Sequence, residues 1–314
     1  MQLHSKKAHK VIQEVEKAVI GKDDCVQKVM MAILCAGHIL LEDIPGVGKT
    51  TLALAFSRAL NLKERRLTFT PDVLPADLTG FTMYRKETGT FSYQPGALMC
   101  NLFLGDEINR TSPKTQSALL EVMEEQQVSV DGNTYPVPRP FIVIATQNPA
   151  GSAGTQMLPE SQLDRFMICL RMGYPDIEEE IAIIKGRIAR NTIETVVPVL
   201  NGTQLLQLQE EVRNIYIHDR VYRYIGELIH ATRNHEFLEL GISPRGTLAL
   251  TRMAQASAYL KERDYVLPSD VQSVFADVCV HRLRTSSRAR ISRISAASVA
   301  QEILKAVAAP SVRG

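Results

Sequence analysis

No charge excess marks this chain: 36 Lys and Arg stand against 34 Asp and Glu, a formal net charge of +2. That balance argues against a general nucleic-acid binder, whose electrostatic footprint would be basic. Cysteine is scarce and scattered. Cys25, Cys35, Cys100, Cys169 and Cys279 form no C-x-x-C pair and have no His at metal-ligand spacing, so no zinc site is expected. An odd count in a long chain fits reduced thiols. Long apolar runs are also missing. The most apolar stretch, 29–41, is broken by Gly37 and His38 and is too short to span a bilayer. The opening "MQLHSKKAHKVIQEVEKAVIG" has no continuous apolar core, so no signal peptide is expected, and the protein is expected in the cytoplasm. Internal repeats and low-complexity tracts are absent.

What is present is the composition of a folded chain: 314 residues, 45% of them apolar and 22% charged. That length holds one large domain or two ordinary ones. Ala8, Val11, Ile12, Val15 and Val19 recur at helical spacing over 5–19, before the breaker Gly21. A second helix is expected over 23–36. Five short apolar runs read as buried strands: "HILLE" (38–42), "RLTFT" (66–70), "NLFLGD" (101–106), "FIVIAT" (141–146) and "MICLRM" (167–172). Helical patterns at 49–60 and 113–125 lie between them, the second opened by Ser112 as N-cap and Pro113. Continuous apolar strands alternating with helices predict an α/β fold with a parallel sheet covered on both faces. Two segments interrupt it as β-hairpins, 81–96 around Glu87–Gly89 and 127–137 around Asp131–Gly132. After Tyr174 and Pro175 the pattern becomes helical, so 1–174 is expected as the α/β domain and 175–314 as a smaller helical domain.

The chemistry gathers at the ends of the strands. "LLEDIPGVGKTT" (40–51) follows a strand and opens a helix, the context of a phosphate-binding P-loop. Its first position departs from the G-x-x-x-x-G-K-[ST] pattern, because Asp43 stands where Gly is expected. Asp tolerates left-handed backbone and can replace Gly if its carboxylate points away from the nucleotide. Gly46, Val47, Gly48, Lys49, Thr50 and Thr51 are the candidate phosphate-binding residues. Gly46 and Gly48 allow close approach, Lys49 reaches the β- and γ-phosphates, and the Thr50 hydroxyl binds Mg²⁺.

"NLFLGDE" (101–107) ends a strand in two carboxylates, with Asp106 placed for Mg²⁺ and Glu107 for the attacking water. Alone such a pair is commonly a solvated strand end. After a P-loop it reads as Walker B. "FIVIATQNP" (141–149) brings Asn148 to the same side. Arg165, just before the fifth strand, can stabilise charge on the transferred phosphoryl group and can be supplied to a neighbouring molecule. Arg245 opens a helix after Pro244, where a cation opposes the helix dipole, so it needs an anionic partner such as a phosphate.

These motifs together resemble the AAA+ ATPases, and within them the MoxR family. The resemblance runs through "VIGKDD" (19–24), "LLEDIPGVGKTTLA" (40–53), "FTPDVLPADLTG" (69–80), "GDEINRTSPKTQSALLEVMEE" (105–125), "ATQNP" (145–149), "LPESQLDRF" (158–166) and "SPRG" (243–246). It implies a P-loop AAA+ core with a five-stranded parallel sheet and two inserted hairpins, followed by an all-helical lid. It implies Mg²⁺-dependent hydrolysis of ATP to ADP and phosphate, with Asn148 as sensor 1, Arg165 as arginine finger and Arg245 as sensor 2. Val19, Ile20 and Gly21 fall near the adenine, and the hairpins face the pore of a homo-oligomeric ring, a hexamer. It also implies tolerance of Asp at position 43. Gly105 departs from the pattern and could soften its strand end. Family members resemble chaperones that remodel or assemble partners, often von Willebrand factor A domain proteins.

A DNA-acting motor of the same clade is the alternative. Such motors are expected to carry Lys or Arg at the second hairpin's tip, and "VDGNTY" (130–135) offers Asp131 and no cation. A silent scaffold ring is opposed by the intact Lys49, Thr50, Asp106, Glu107, Asn148 and Arg165. The remaining features have structural readings. The arginines of 281–293 are expected on a solvated face, "DIEEE" (176–180) complements a helix N-terminus, and His235 and His281 have no ligand partners at suitable spacing. Tyr84, Phe91 and Tyr93 on the first hairpin serve either packing or substrate grip.

Overall fold

The computed structural model describes residues 4–43, 46–148, 158–189 and 192–311. Ile44, Pro45 and Pro149, which belong to the stretches 40–51 and 141–149 above, lie outside the described residues. The core is one parallel sheet of β1 (Ile39–Glu42), β2 (Glu64–Thr68), β3 (Leu102–Asp106), β4 (Ile142–Gln147) and β5 (Ile168–Leu170). Their spatial order is β2-β3-β4-β1-β5, every neighbouring pair being parallel.

Strand alternation explains how the sheet is covered. Successive side chains point to opposite faces. Ile39, Leu41, Leu102, Leu104, Ile142 and Ile144 therefore join the helices Ser5–Glu16, Asp23–Leu34 and Lys49–Ala59 in one apolar cluster. Leu40, Phe103, Val143 and Ala145 join the helix Pro113–Glu125 in the other. Both faces are buried, which is why these strands read as unbroken apolar runs.

β2 begins two residues earlier than the apolar pattern indicates. Glu64, Arg65 and Arg66 are exposed at the sheet edge, so hydropathy does not mark them, whereas the ladder to β3 does. Gly105 does not loosen its strand, which pairs through to Asp106. A Cβ on Gly105 would come 2.9 Å from the Phe69 ring, so the missing side chain makes room for that ring.

Both inserted hairpins form. Gly80–Arg85 pairs with Thr90–Pro95, and Gln127–Val130 with Asn133–Pro136. The second turns at Asp131 and Gly132, both at positive φ, as a two-residue turn requires. They meet through Tyr93 and Tyr135, stacked 4.0 Å apart. The aromatic set divides accordingly: Tyr93 packs, while Tyr84 and Phe91 pair 5.2 Å apart and stay exposed.

Beyond β5 the chain is largely helical, with its longest helices at Asp219–Arg233 and Pro244–Leu260. It also forms a short ribbon, Leu238–Leu240 against Arg284–Thr285. The first apolar cluster continues into this region through Leu208, Leu250 and Phe275. Gln209 Nε2 donates to Ile33 O at 2.7 Å and Cys35 Sγ to Arg252 O at 3.2 Å, binding the helical region to the N-terminal helices. Among the described residues, no helix is long and apolar enough to cross a membrane.

Candidate active site

The carboxyl ends of β1, β3 and β4 border a cleft of about 330 Å³, lined among others by Gly46, Gly48, Lys49, Thr50, Asp106 and Asn148. Thr51 and Glu107 complete the predicted residues found there. Parallel strands direct their C-terminal ends to one edge, where ligands of open α/β sheets bind.

The loop after β1 delivers the helix Lys49–Ala59 to this edge. Gly46 and Gly48 hold φ of 90° and 98°, a region other residues enter only with strain. The helix thereby opens with its unpaired N–H groups toward the cleft, a ready anion site. Lys49 is buried, and its Nζ donates to the carbonyl of Asp43 at 2.6 Å. Burial lowers its pKa, opposed by the carboxylates of Asp43, Asp106 and Glu107.

Asp43 hydrogen-bonds through its carboxylate to a segment beyond the loop. Its Oδ2 accepts the N–H of Gly173 at 2.6 Å, on the connector that leaves β5. Left-handed backbone is not what admits Asp here: among the described residues of the loop, the positive-φ positions are Gly46 and Gly48. What its carboxylate meets is the backbone N–H of Gly173.

At the end of β3, Asp106 is buried and its Oδ2 receives Arg66 Nε and Nη2, both at 2.7 Å. Thr146 on β4 accepts the N–H of Glu107 at 2.9 Å. Glu107 sits in left-handed backbone, φ 60° and ψ 46°. Its Oε2 pairs with Arg110 at 2.7 Å and its Oε1 accepts Asn148 Nδ2 at 3.2 Å. The Arg110 hydrogen bond, with help from Asn148, lowers the Glu107 pKa, so the carboxylate is charged at neutral pH. Asn109, 1% exposed, exchanges hydrogen bonds with the backbone of Asn148 at 3.2 and 3.4 Å.

Arg165 and Arg245 are not among the residues lining the cleft. They share one carboxylate instead. Glu124, near the end of the helix Pro113–Glu125, pairs with Arg165 at 3.4 Å and with Arg245 through its other oxygen. Among the described residues, Arg165 Nε is buried without a hydrogen-bond partner. Glu124 is thus the anion that Arg245 needs at its helix start. Val19 is buried in the first apolar cluster, and Gly21, at φ 71°, is covered by the Glu179 side chain. Lys22 reaches the carbonyl of Tyr174 at 3.0 Å and Glu179 at 3.4 Å, so this turn abuts the connector after β5 rather than the phosphate end of the cleft.

Arg66, Thr146, Asn109, Glu124 and Arg282 were not legible as site residues. Arg66 looks like any edge-strand cation, and Asn109 differs from a surface Asn only by its burial. Arg282 corrects the expectation of a solvated basic face. It is 5% exposed and holds Asp164 at 2.8 Å, whereas Arg284 and Arg288 pair with exposed acids. The expected structural role of 176–180 holds: Asp176 and Glu179 cap one another's backbone at 2.8 and 2.9 Å.

The donor set fits a nucleoside triphosphate and a divalent cation. It combines a glycine-bounded helix N-terminus, one buried ammonium, a hydroxyl and two adjacent carboxylates. Residues 38–168 match the family model of ATPases associated with various cellular activities, and residues 230–303 match that of the AAA lid domain. The chain is 45% identical to the uncharacterized protein YeaC of Bacillus subtilis, over 97% of this chain and 95% of that protein. It is 39% identical to the chaperone MoxR1 of Mycobacterium tuberculosis, over 96% of this chain and 82% of that one. A crystal structure from Cytophaga hutchinsonii, described as that of a candidate ATPase, superposes with a TM-score of 0.90 at 35% identity, covering 98% of this chain and 96% of the other.

Proposed function

This chain belongs to the MoxR family of AAA+ ATPases, and on that premise we propose that it forms a ring, a hexamer, which uses ATP hydrolysis to remodel or assemble a protein partner. Its chaperone-like character follows from its relatives. In this reading the chain divides after Tyr174 into a nucleotide-binding unit, 1–174, and a lid, 175–314, and works in the cytoplasm.

Each site residue then has a task. The N–H groups beyond Gly46, Val47 and Gly48 cradle the phosphates, with Thr51 in the same first turn, and Lys49 leaves the Asp43 carbonyl for the β- and γ-phosphates. Thr50 and Asp106 would hold Mg²⁺, which supplies positive charge between the phosphate oxygens. Glu107 polarises the attacking water, and Asn148 fixes the Glu107 carboxylate. Val19, Ile20 and Gly21 border the adenine.

The observation that carries the oligomeric reading is the placement of Arg165 and Arg245 together on Glu124, apart from the cleft lined by Lys49. Two cations on one carboxylate retain charge for a second anion, and a neighbour's γ-phosphate supplies it. Contacts of this head-to-tail kind close into rings. The exposed Phe81, Met83, Tyr84 and Phe91 of the first hairpin favour a protein partner, and the family resemblance offers a von Willebrand factor A domain protein as its class.

Tagged Glu107→Gln protein, captured from native extract with ATP and Mg²⁺ against a Lys49→Ala control, tests the reading. An ATP-dependent protein partner is expected. Nuclease-sensitive nucleic acid without a protein partner would move the chain to the DNA-motor class.

A further inference from the structure

We propose that Arg282 is the positioning residue that sets Arg165 and Arg245 in register with each other, acting through Asp164, Ser243 and Gly246. The proposal rests on the reading above that both arginines complete a neighbour's site.

Arg282 lies just beyond the helix Pro268–Cys279, yet its guanidinium is spent on the segment around Arg165. Nε donates to Asp164 Oδ1 at 2.8 Å, and Nη2 donates to the carbonyls of Asp164 at 3.2 Å and Phe166 at 2.5 Å. Nη1 donates to the carbonyls of Met167, at 3.2 Å, and of Val278. The residues on both sides of Arg165 are therefore fixed by one planar donor group. That rigid fork suits several acceptors at once in a way that a lysine ammonium does not.

The same group fixes the Arg245 turn. Asp164 Oδ2 accepts the Ser243 hydroxyl at 2.8 Å, and Ser243 Oγ accepts the N–H of Gly246 at 3.1 Å as N-cap of the helix Pro244–Leu260. The Arg282 stem lies against Gly246, where an added Cβ would come 2.9 Å from Arg282 Cδ. Arg245 is thus bracketed by Ser243 and Gly246, just as Arg165 is bracketed by Asp164 and Phe166. Both brackets close on Arg282.

Simple structural cementing would be served as well by apolar packing. A buried charge is costly unless every donor is matched, and is frequently no more stabilising than a hydrophobic substitute. What the charge adds is geometry. Two cations that must reach one γ-phosphate gain from a common anchor, since misplacement of about 1 Å can cost about 100-fold in rate.

Arg282→Gln, Arg282→Lys and Asp164→Asn are to be assayed for ATP binding and for hydrolysis, alone and mixed with Glu107→Gln, beside Arg165→Ala treated identically. Gly246→Ala, which keeps every donor and presses on Ile242 as well as on the Arg282 stem, covers the case in which Arg282→Gln does not fold, with Ile242→Val as the control for the first contact. The expected result is ATP affinity within about twofold of wild type, kcat lower by about 10- to 100-fold, and recovery on mixing, because Glu107→Gln subunits bring correctly placed arginines. Arg282→Lys should not restore the rate. Wild-type hydrolysis in Arg282→Gln, or no recovery on mixing while Arg165→Ala does recover, overturns the proposal and leaves the neighbour-completion reading standing. If Arg165→Ala does not recover either, that reading falls and this one with it.

Discussion

Asp43 and Gly173 are joined by a 2.6 Å hydrogen bond from the glycine N–H to the aspartate carboxylate. The bond links the start of the phosphate loop to the connector leaving β5. Asp43→Ala should therefore lower stability by about 1–3 kcal/mol, the cost of removing a charged acceptor from a partly buried donor. ATP affinity should change little, because the carboxylate is engaged by the Gly173 N–H. Urea unfolding and nucleotide titration read the two effects separately, and a large loss of affinity at unchanged stability would contradict this assignment.

Glu107 is held by Arg110 on one oxygen and Asn148 on the other. Glu107→Gln keeps the shape and removes the base, so ATP should still bind while hydrolysis falls by about 10²–10⁴-fold, the usual range for a general base. Asn148→Ala should bind ATP normally and fall less, since it orients the carboxylate without replacing it. Steady-state phosphate release decides the order of the two.

Arg66 occupies one oxygen of Asp106, the carboxylate that would hold a metal ion. Its guanidinium is about half exposed, so the competing pair is worth only up to about 1 kcal/mol. Arg66→Ala should lower the Mg²⁺ concentration for half-maximal hydrolysis by about two- to fivefold, the equivalent of that energy. A magnesium titration that superposes on wild type would show that Arg66 does not compete.

His38 accepts the Val143 N–H on Nδ1 at 3.0 Å, which leaves Nε2 to donate to the Met123 carbonyl at 3.0 Å. It bridges β1, β4 and the helix Pro113–Glu125 as a neutral ring, and burial pulls its pKa from 6.5 to about 4. With the folded pKa below the unfolded one, the unfolded chain binds the extra proton. The contribution is complete above pH 6.5 and is lost as the pH falls toward 4. The loss should be on the order of 2–3 kcal/mol between about pH 7 and about pH 4.5. Urea unfolding at the two pH values should show a shallower pH dependence in His38→Gln than in wild type, and parallel slopes would rule His38 out.

The sequence by itself determined the parallel sheet, both hairpins, the P-loop and the Asp106–Glu107 pair. Each of these is written in residues close along the chain. Apolar runs make buried strands, Asp131 and Gly132 make a turn, and Gly46 to Thr50 make a glycine-bounded helix start, with no distant partner needed to define them. Glu64 to Arg66 escaped because an edge strand is solvated, so its pairing leaves no apolar trace. Only the tertiary structure decided what the charges do. Asp43 is explained by Gly173, Asp106 by Arg66, and Arg165 and Arg245 by their shared Glu124, all separated by tens of residues or more. A basic run at 281–293 reads as one solvated face until folding buries Arg282 against Asp164 and leaves Arg288 outside. Local propensity is set by neighbours in the chain, whereas the partner of a charge is set by where the fold brings distant segments together.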